Sequence, residues 1–277
     1  MEKEQVWYIT GCTSGCGLAL VEKLLNIKGT KVAGTTRDLK KLESLSIFKN
    51  ENFLGLQVDI VNCKSVEESI EKTIKHFGNI THVVNNAGFA MMGTIEEVSD
   101  QEQREQMDVC YFAPLNVIRS VLPHFRSKSY GYIFNIGSGA GFRGIAKLGA
   151  YSGSKFALAG ITEALHEEVK PFSINVSSIV LGYIETDFHE AIPIAKNLID
   201  CYDTISFKEQ RKENLKKIVG GDPQKVADVL IEYSNKSNLP NNIFVGPTVH
   251  FNNTESKTKE LLNQIQSQRE TNNVQKS

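Results

Sequence analysis

Val6-Trp7-Tyr8-Ile9-Thr10-Gly11-Cys12-Thr13-Ser14-Gly15-Cys16-Gly17 decides the fold. Four consecutive apolar side chains with no polar alternation read as a strand buried on both faces, the habit of a parallel sheet covered by helices. The glycines that follow have separate tasks. Gly11 permits a tight turn, Gly15 lets the backbone approach a pyrophosphate, and Gly17 lets the next helix pack close to the strand. Free amides around Ser14 and Cys16, at the positive end of that helix, would face the phosphates. The spacing is GxxxGxG, not GxGxxG, and its place between strand and helix makes it a nucleotide loop and not merely a turn.

Outward from this loop the chain keeps alternating. Short β-branched runs at residues 31–35, 53–58, 80–85, 132–137, 174–180 and 243–245 predict six more strands. Amphipathic stretches at 18–27, 65–76, 101–127 and 150–169 predict helices between them. This is an α/β chain: one doubly wound domain with a parallel sheet of about seven strands, helices on both faces and right-handed crossovers. The domain is expected over residues 1–250. Residues 183–220 hold two helical patches in a connection longer than a sheet needs, and read as a substrate lid. The tail is expected over 251–277, and from Asn252 onward the composition turns to Asn, Gln, Ser, Thr and Lys, with only Leu261, Leu262, Ile265 and Val274 apolar. A flexible tail with at most a marginal helix is expected there.

Composition removes several function classes. Hydrophobic residues make up 40% and charged residues 23% of the 277, and 31 basic against 32 acidic side chains leave a net charge of -1. That balance offers no electrostatic footprint for nucleic acid. No apolar run has the length of a membrane span, and because the N-terminus runs straight into the first strand, no cleavable leader is expected. Cys12, Cys16, Cys63, Cys110 and Cys201 are odd in number and scattered, as expected of reduced thiols in a cytoplasmic protein. The six histidines form no HExxH or HxxxH pattern, so no metal site is expected.

The second strand ends in Thr36-Arg37-Asp38. A site for NAD places a carboxylate here to accept from the ribose hydroxyls, whereas NADP requires a cation for its 2′-phosphate. Thr36 removes the carboxylate and Arg37 supplies the cation, with Asp38 reading as a helix cap, so NADP(H) is preferred over NAD(H). Asp59 closes the third strand within reach of an adenine amine. Asn85-Asn86-Ala87-Gly88 closes the fourth at the same carboxyl edge, where ligands of open α/β sheets bind.

Tyr151-Ser152-Gly153-Ser154-Lys155 opens a helix, and the spacing of four puts Tyr151 and Lys155 on one face. A phenol holds its proton too tightly to exchange it at neutral pH. An ammonium about 4–5 Å away, at an effective dielectric near 20, favours the phenolate by roughly 3–4 kcal/mol, or about 2–3 pKa units. Ser138, at the end of the fifth strand, is placed to donate to a substrate carbonyl oxygen. A hydrolase elbow would need GxSxG, and Ile136 stands where its first glycine should be.

Taken in order, Thr10–Gly17, Asp59, Asn85–Gly88, Ser138 and the pair Tyr151 and Lys155 resemble the short-chain dehydrogenase/reductase family over roughly residues 5–250. The resemblance implies a Rossmann-type domain that interconverts a carbonyl and an alcohol of a small molecule by hydride transfer. Tyr151 would be the general acid/base, Lys155 its pKa-lowering partner and ribose ligand, and Ser138 the group that orients the substrate oxygen. Gly182 and Thr186, with Ile184 between them, match the family's PGxxxT, where the nicotinamide carboxamide docks. A dimer or tetramer through helices near 101–127 and 151–169 is implied as well. Phe142, Ile145, Leu148, Tyr183, Phe188, Ile192 and Ile194 suggest an apolar wall, similar to the hydroxysteroid- and retinol-type reductases, so a steroid-, retinoid- or lipid-like substrate is expected. The chain departs from the family at Cys110, where an asparagine usually holds a relay water, and at Leu181, in place of a proline. Those departures motivate an alternative reading: an NADP(H)-binding sensor or scaffold whose catalysis is weakened.

Overall fold

Side chains of the first strand, β1 (Gln5–Thr10), alternate between two buried layers. Trp7 and Ile9 enter one core with Leu20, Leu24 and Val32. Val6 and Tyr8 enter the other with Val66, Ile70 and Val117. Both faces are covered, which is why the run is apolar at every position.

The computed structural model describes residues 4–269 and 272. Val274, named above in the tail, and the starting residues 1–3 lie outside that range. Strands β1, β2 (Thr30–Thr36), β3 (Phe53–Gln57), β4 (His82–Asn85), β5 (Gly131–Ile136), β6 (Ile174–Leu181) and β7 (Asn242–Val245) form one sheet in the order β3-β2-β1-β4-β5-β6-β7. Every pairing is parallel. The order reverses between β1 and β4, and a crevice opens beyond their carboxyl ends, where such sheets take their ligands. The crevice edges are tied together. Thr10 Oγ1 accepts from the Asn86 and Ala87 amides, each at 3.0 Å, and Asn86 Nδ2 donates to the Thr10 and Gly11 carbonyls at 3.0 and 2.8 Å.

The covering helices are α1 (Gly15–Leu25), a short α2 (Leu39–Glu43), α3 (Cys63–Phe77), α4 (Asp100–Met107), α5 (Ala113–Lys128), α6 (Gly149–Glu168), α7 (Thr204–Leu215), α8 (Pro223–Tyr233) and α9 (Thr248–Gln268). The region expected as one helix over 101–127 is two, joined by a π-helical turn, Asp108–Phe112. α2 was marked in the sequence only by its cap, Asp38, and α8 had no counterpart there, although Asp222 before Pro223 is a legible cap and first-turn pair. The lid contains one regular helix, α7, and a short 3-10 turn, Asp200–Tyr202.

The expected domain boundary was at residue 250. It falls inside α9, which continues to Gln268 where a tail with at most a marginal helix was anticipated. The start of α9 is anchored by His250, which is buried and whose Nε2 lies 3.0 Å from the Val180 carbonyl of β6. No helix among the described residues is long and apolar enough to cross a membrane.

Candidate active site

A single cavity of about 1010 Å³ runs along the carboxyl edge of the sheet. At one end it is walled by backbone. Gly11 (φ +69°) and Gly15 (φ +56°) occupy the left-handed region, where a side chain would strain the loop. A Cβ on Gly11 would stand 2.9 Å from Ala87 Cα, and one on Gly17 only 2.3 Å from the Gly11 carbonyl oxygen. Gly11, Ser14, Gly15 and Cys16 line the cavity, as do Asn86, Ala87 and Gly88. Gly17 does not: it sits behind the loop and permits the close helix–strand contact. Glycines that keep a groove open before a helix N-terminus fit the pyrophosphate of a dinucleotide.

Beyond the loop, Arg37, Lys41 and Asp59 line the same groove at the ends of β2 and β3. Asp38 caps α2 by accepting from the Lys41 amide at 3.2 Å. Asp59 Oδ1 accepts from the Val61 amide at 3.1 Å. Burial raises the thiols of Cys12 to about 12 and Cys16 to about 11, so both stay protonated in this loop.

At the other end stand the chemical groups. Tyr151 and Lys155 leave α6 one turn apart and are only 9% and 5% exposed. Lys155 Nζ donates to the Ile136 carbonyl at 2.7 Å and lies 5.8 Å from the centre of the Tyr151 ring. Ser138 begins a tight turn at the end of β5, its hydroxyl accepting from the Ala140 amide at 3.2 Å. That turn approaches α6 so closely that a Cβ on Gly141 would stand 2.8 Å from the Lys155 carbonyl oxygen.

The acidity of Tyr151 differs from the sequence expectation. Burial pushes the phenol above its ordinary value; Lys155 and Ser138 pull it down, Cys110 opposes them, and Arg211 adds a further pull. The ammonium acts in the anticipated direction, but desolvation outweighs it.

Under these groups lies a buried polar chain. Asn85 Nδ2 donates to Asn135 Oδ1 at 2.8 Å, and Asn135 Nδ2 donates to Thr162 Oγ1 at 2.9 Å. It links β4, β5 and α6 beneath Ser138 and Tyr151. Cys110 sits in the π-helical turn, donating to the Phe89 carbonyl at 3.3 Å and accepting from Gln106 Nε2 at 3.1 Å. A Cβ on Gly88 would lie 3.5 Å from its sulfur and 3.8 Å from Lys155 Nζ, which places the thiol across Gly88 from the ammonium.

The lid closes the far side. Phe142, Ile145, Leu148, Tyr183, Phe188 and Ile192 line the cavity, and the Phe188 ring stands 6.0 Å from Tyr151. Ile194 does not line it: it bridges to Met92 at the lid base. Ile184 and Thr186 line the wall, with Ile184 largely spent on core packing and Thr186 lying over Gly15. Gly182 has a local reason, since a Cβ there would meet His250 Cβ at 2.6 Å. The sequence reading missed the cavity-facing side of α9 (Val249, His250, Asn253, Thr254 and Lys257) and Arg211 of α7.

Two buried carboxylates fasten the lid. Glu97 accepts from the Thr94 amide at 2.8 Å, the Ile199 amide at 3.1 Å and the Thr204 hydroxyl at 2.7 Å. Burial raises its pKa, but those hydrogen bonds prevail and hold it down at about 2. Glu102 accepts from the Lys196 amide at 3.1 Å while closing the capping box of α4 with Ser99.

Comparison with known proteins agrees with this geometry. Residues 5–197 match the family model described as short chain dehydrogenase. A 3-ketodihydrosphingosine reductase of Bacteroides thetaiotaomicron is 33% identical over 261 residues, covering 92% of each chain. Oxidoreductase BOA17 of Botryotinia fuckeliana is 28% identical over 249 residues, 88% of this chain and 89% of its own. Among solved structures, a short-chain dehydrogenase from Streptomyces avermitilis superposes with a TM-score of 0.87 at 24% identity, over 97% of this chain and 98% of that one. A serine dehydrogenase complexed with NADP+ superposes at 0.76, with 24% identity over 88% and 96%. The chain belongs to the short-chain dehydrogenase family: it is a dehydrogenase/reductase acting on a small-molecule substrate.

Proposed function

We propose that this protein is a cytoplasmic, homo-oligomeric, NADP(H)-dependent enzyme that interconverts a carbonyl and an alcohol on a small molecule with an apolar, steroid-, retinoid- or lipid-like body. The observation that carries the reading is the position of Tyr151. It stands where the backbone-walled groove meets the apolar pocket, flanked by Ser138 and Lys155.

A reduced nicotinamide dinucleotide bound along the groove supplies the hydride. The chain's own part is to fix the carbonyl and move the proton. Ser138 donates to the carbonyl oxygen and keeps it against Tyr151. As negative charge grows on that oxygen, the Tyr151 phenol delivers its proton, and the Lys155 ammonium stabilises the phenolate left behind. Its bond to the Ile136 carbonyl holds the ammonium in place. The side chains of Phe142, Leu148 and Phe188 exclude water and strengthen each of these polar interactions.

Preference for NADP(H) is supported by Arg37 and Lys41, two cations lining the groove at the end of β2. Arg37→Ala should lower the kcat/KM ratio for NADPH over NADH by about 10- to 100-fold. Exposed Phe112 in the π-helical turn and Phe156 on α6 support association through that side of the molecule. The relative named for 3-ketodihydrosphingosine supports a lipid-like body.

The test is NADPH oxidation against ketones and aldehydes with apolar bodies, comparing wild type with Tyr151→Phe. Turnover that disappears in the variant sustains the reading; turnover that survives it overturns the assignment. Cys110 favours a second reading, a cofactor-binding sensor or scaffold, because its thiol is engaged by Phe89 and Gln106. That reading requires tight NADPH binding without turnover dependent on Tyr151. On the enzyme reading, Cys110→Asn raises the rate by restoring a better ligand for a relay water.

A further inference from the structure

Arg211 projects from α7 into the substrate end of the cavity, which it lines together with Tyr151, Phe188, His189, Leu215 and Ile218. It is half-buried, and no carboxylate among the described residues lies within ion-pair distance of it. Its polar partner is His189, whose Nδ1 accepts from Nη2 at 3.3 Å. An accepting Nδ1 requires a neutral ring, and burial together with the adjacent guanidinium holds His189 at about 4. The imidazole is itself fixed, 4.9 Å from the Tyr183 ring and 5.3 Å from the Phe188 ring.

A guanidinium taken partly out of water without a counter-ion costs free energy. One N–H held by a neutral histidine orients the planar fork and leaves its other donors available. The rest of the wall does not supply the missing charge. Asp38 and Asp59 lie at the ends of β2 and β3, Asp187 is exposed, and Arg143 and Lys257 add cations beside α9.

We propose that the substrate carries a carboxylate on its apolar body, and that Arg211 receives this carboxylate while Tyr151 and Ser138 hold the carbonyl. The proposal rests on the carbonyl/alcohol reading above and narrows it to oxo-acids and their hydroxy-acid counterparts. Arg211 is then a specificity-determining residue. The pocket walls admit an aliphatic chain between the two polar ends. A ketone with an ammonium group at the same position is excluded by like charge.

The test uses oxodecanoic acids with the ketone at successive positions, their methyl esters, and the non-reducible ligands octanoate, decanoate and palmitate. Wild type should reduce the best acid with a kcat/KM at least about tenfold above its ester. Arg211→Met should lower that acid-to-ester ratio by about 10- to 100-fold, mainly through KM, and Arg211→Lys should recover part of it. Calorimetry with NADPH-saturated protein should show a fatty carboxylate binding to wild type and losing at least tenfold in affinity in Arg211→Met. An ester reduced as well as its acid by wild type, or equal losses for acid and ester in Arg211→Met, would overturn the proposal. So would fatty carboxylates that bind both proteins alike or neither. Should Arg211→Met fail to fold, the wild-type ratio and Arg211→Lys still decide. Arg211-dependent carboxylate binding without Tyr151-dependent turnover would leave the anion site standing and remove the reductase reading.

Discussion

The two ends of the cavity are built by different means. The glycine loop end is made of backbone: two glycines with positive φ, amides received by Thr10 Oγ1, and carbonyls held by Asn86 Nδ2. Its partners are the ends of adjacent strands, so its shape follows from the sheet itself. The substrate end is made of side chains sent from distant parts of the chain. Glu97 and Glu102 grip the lid about a hundred residues downstream, and His250 fixes α9 against β6. A backbone-built end serves a ligand shared across a family, and a side-chain-built end can be rewritten without disturbing it.

That contrast can be broken experimentally. The largest separation is expected for Tyr151→Phe, which should cut turnover by about 10²- to 10⁴-fold with NADPH affinity retained in calorimetry. Loss of NADPH binding in this variant would show that the two ends are not independent. Gly17→Ala should do the reverse: the new Cβ meets the Gly11 carbonyl at 2.3 Å, so NADPH affinity falls and the protein loses about 1–3 kcal/mol in denaturant unfolding. Glu97→Gln should spare the glycine loop. It weakens the hydrogen bonds from Ile199 and Thr204, raises KM for the carbonyl, and speeds amide exchange across residues 194–204 with NADPH affinity unchanged.

The pH dependence sharpens the same division. Glu97 is held at about 2 against an ordinary 4.5, so its hold on the lid is fully present above pH 4.5. That hold is lost as pH falls through about 2. Lid exchange should therefore rise in acid before the glycine loop opens. The smallest effect belongs to His82, stacked 4.2 Å from Trp7 and 4.8 Å from Tyr132. Burial holds it neutral down to about 3 from an ordinary 6.5. The unfolded chain therefore binds the extra proton between those values, and stability declines as pH falls below 6.5, by about 1–2 kcal/mol at pH 5. His82→Phe should flatten that slope in denaturant titrations at pH 7 and pH 5.

Residues that act through local geometry were legible. The VWYI run, the glycines, Asp38 as a cap and the placement of Tyr151, Lys155 and Ser138 along one sheet edge all follow from strand and helix periodicity. What escaped depends on side chains meeting across long separations. Arg211 lies in a charged, weakly amphipathic helix, where one arginine facing inward looks like its solvated neighbours. His250 follows a strand end within a polar stretch, and only the fit of its ring beside Gly182 shows why α9 starts there. The net acidity of Tyr151 was misjudged because spacing reveals the Lys155 charge but not the depth of burial around the phenol.

The π-helical turn has a consequence for how the enzyme can evolve. One residue more than an α-helical turn would hold is accommodated between α4 and α5. The wide turn absorbs that residue locally and keeps the two helices in phase, whereas deleting a single residue from the regular helix that follows, Ala113–Lys128, would spin everything upstream by about 100°. Glu102 would swing away from the Lys196 amide and Gln106 from the Phe89 carbonyl, unfastening the substrate cover while every residue that performs chemistry kept its identity. A one-codon loss here would thus silence the protein through its mechanical linkage and spare its reagents.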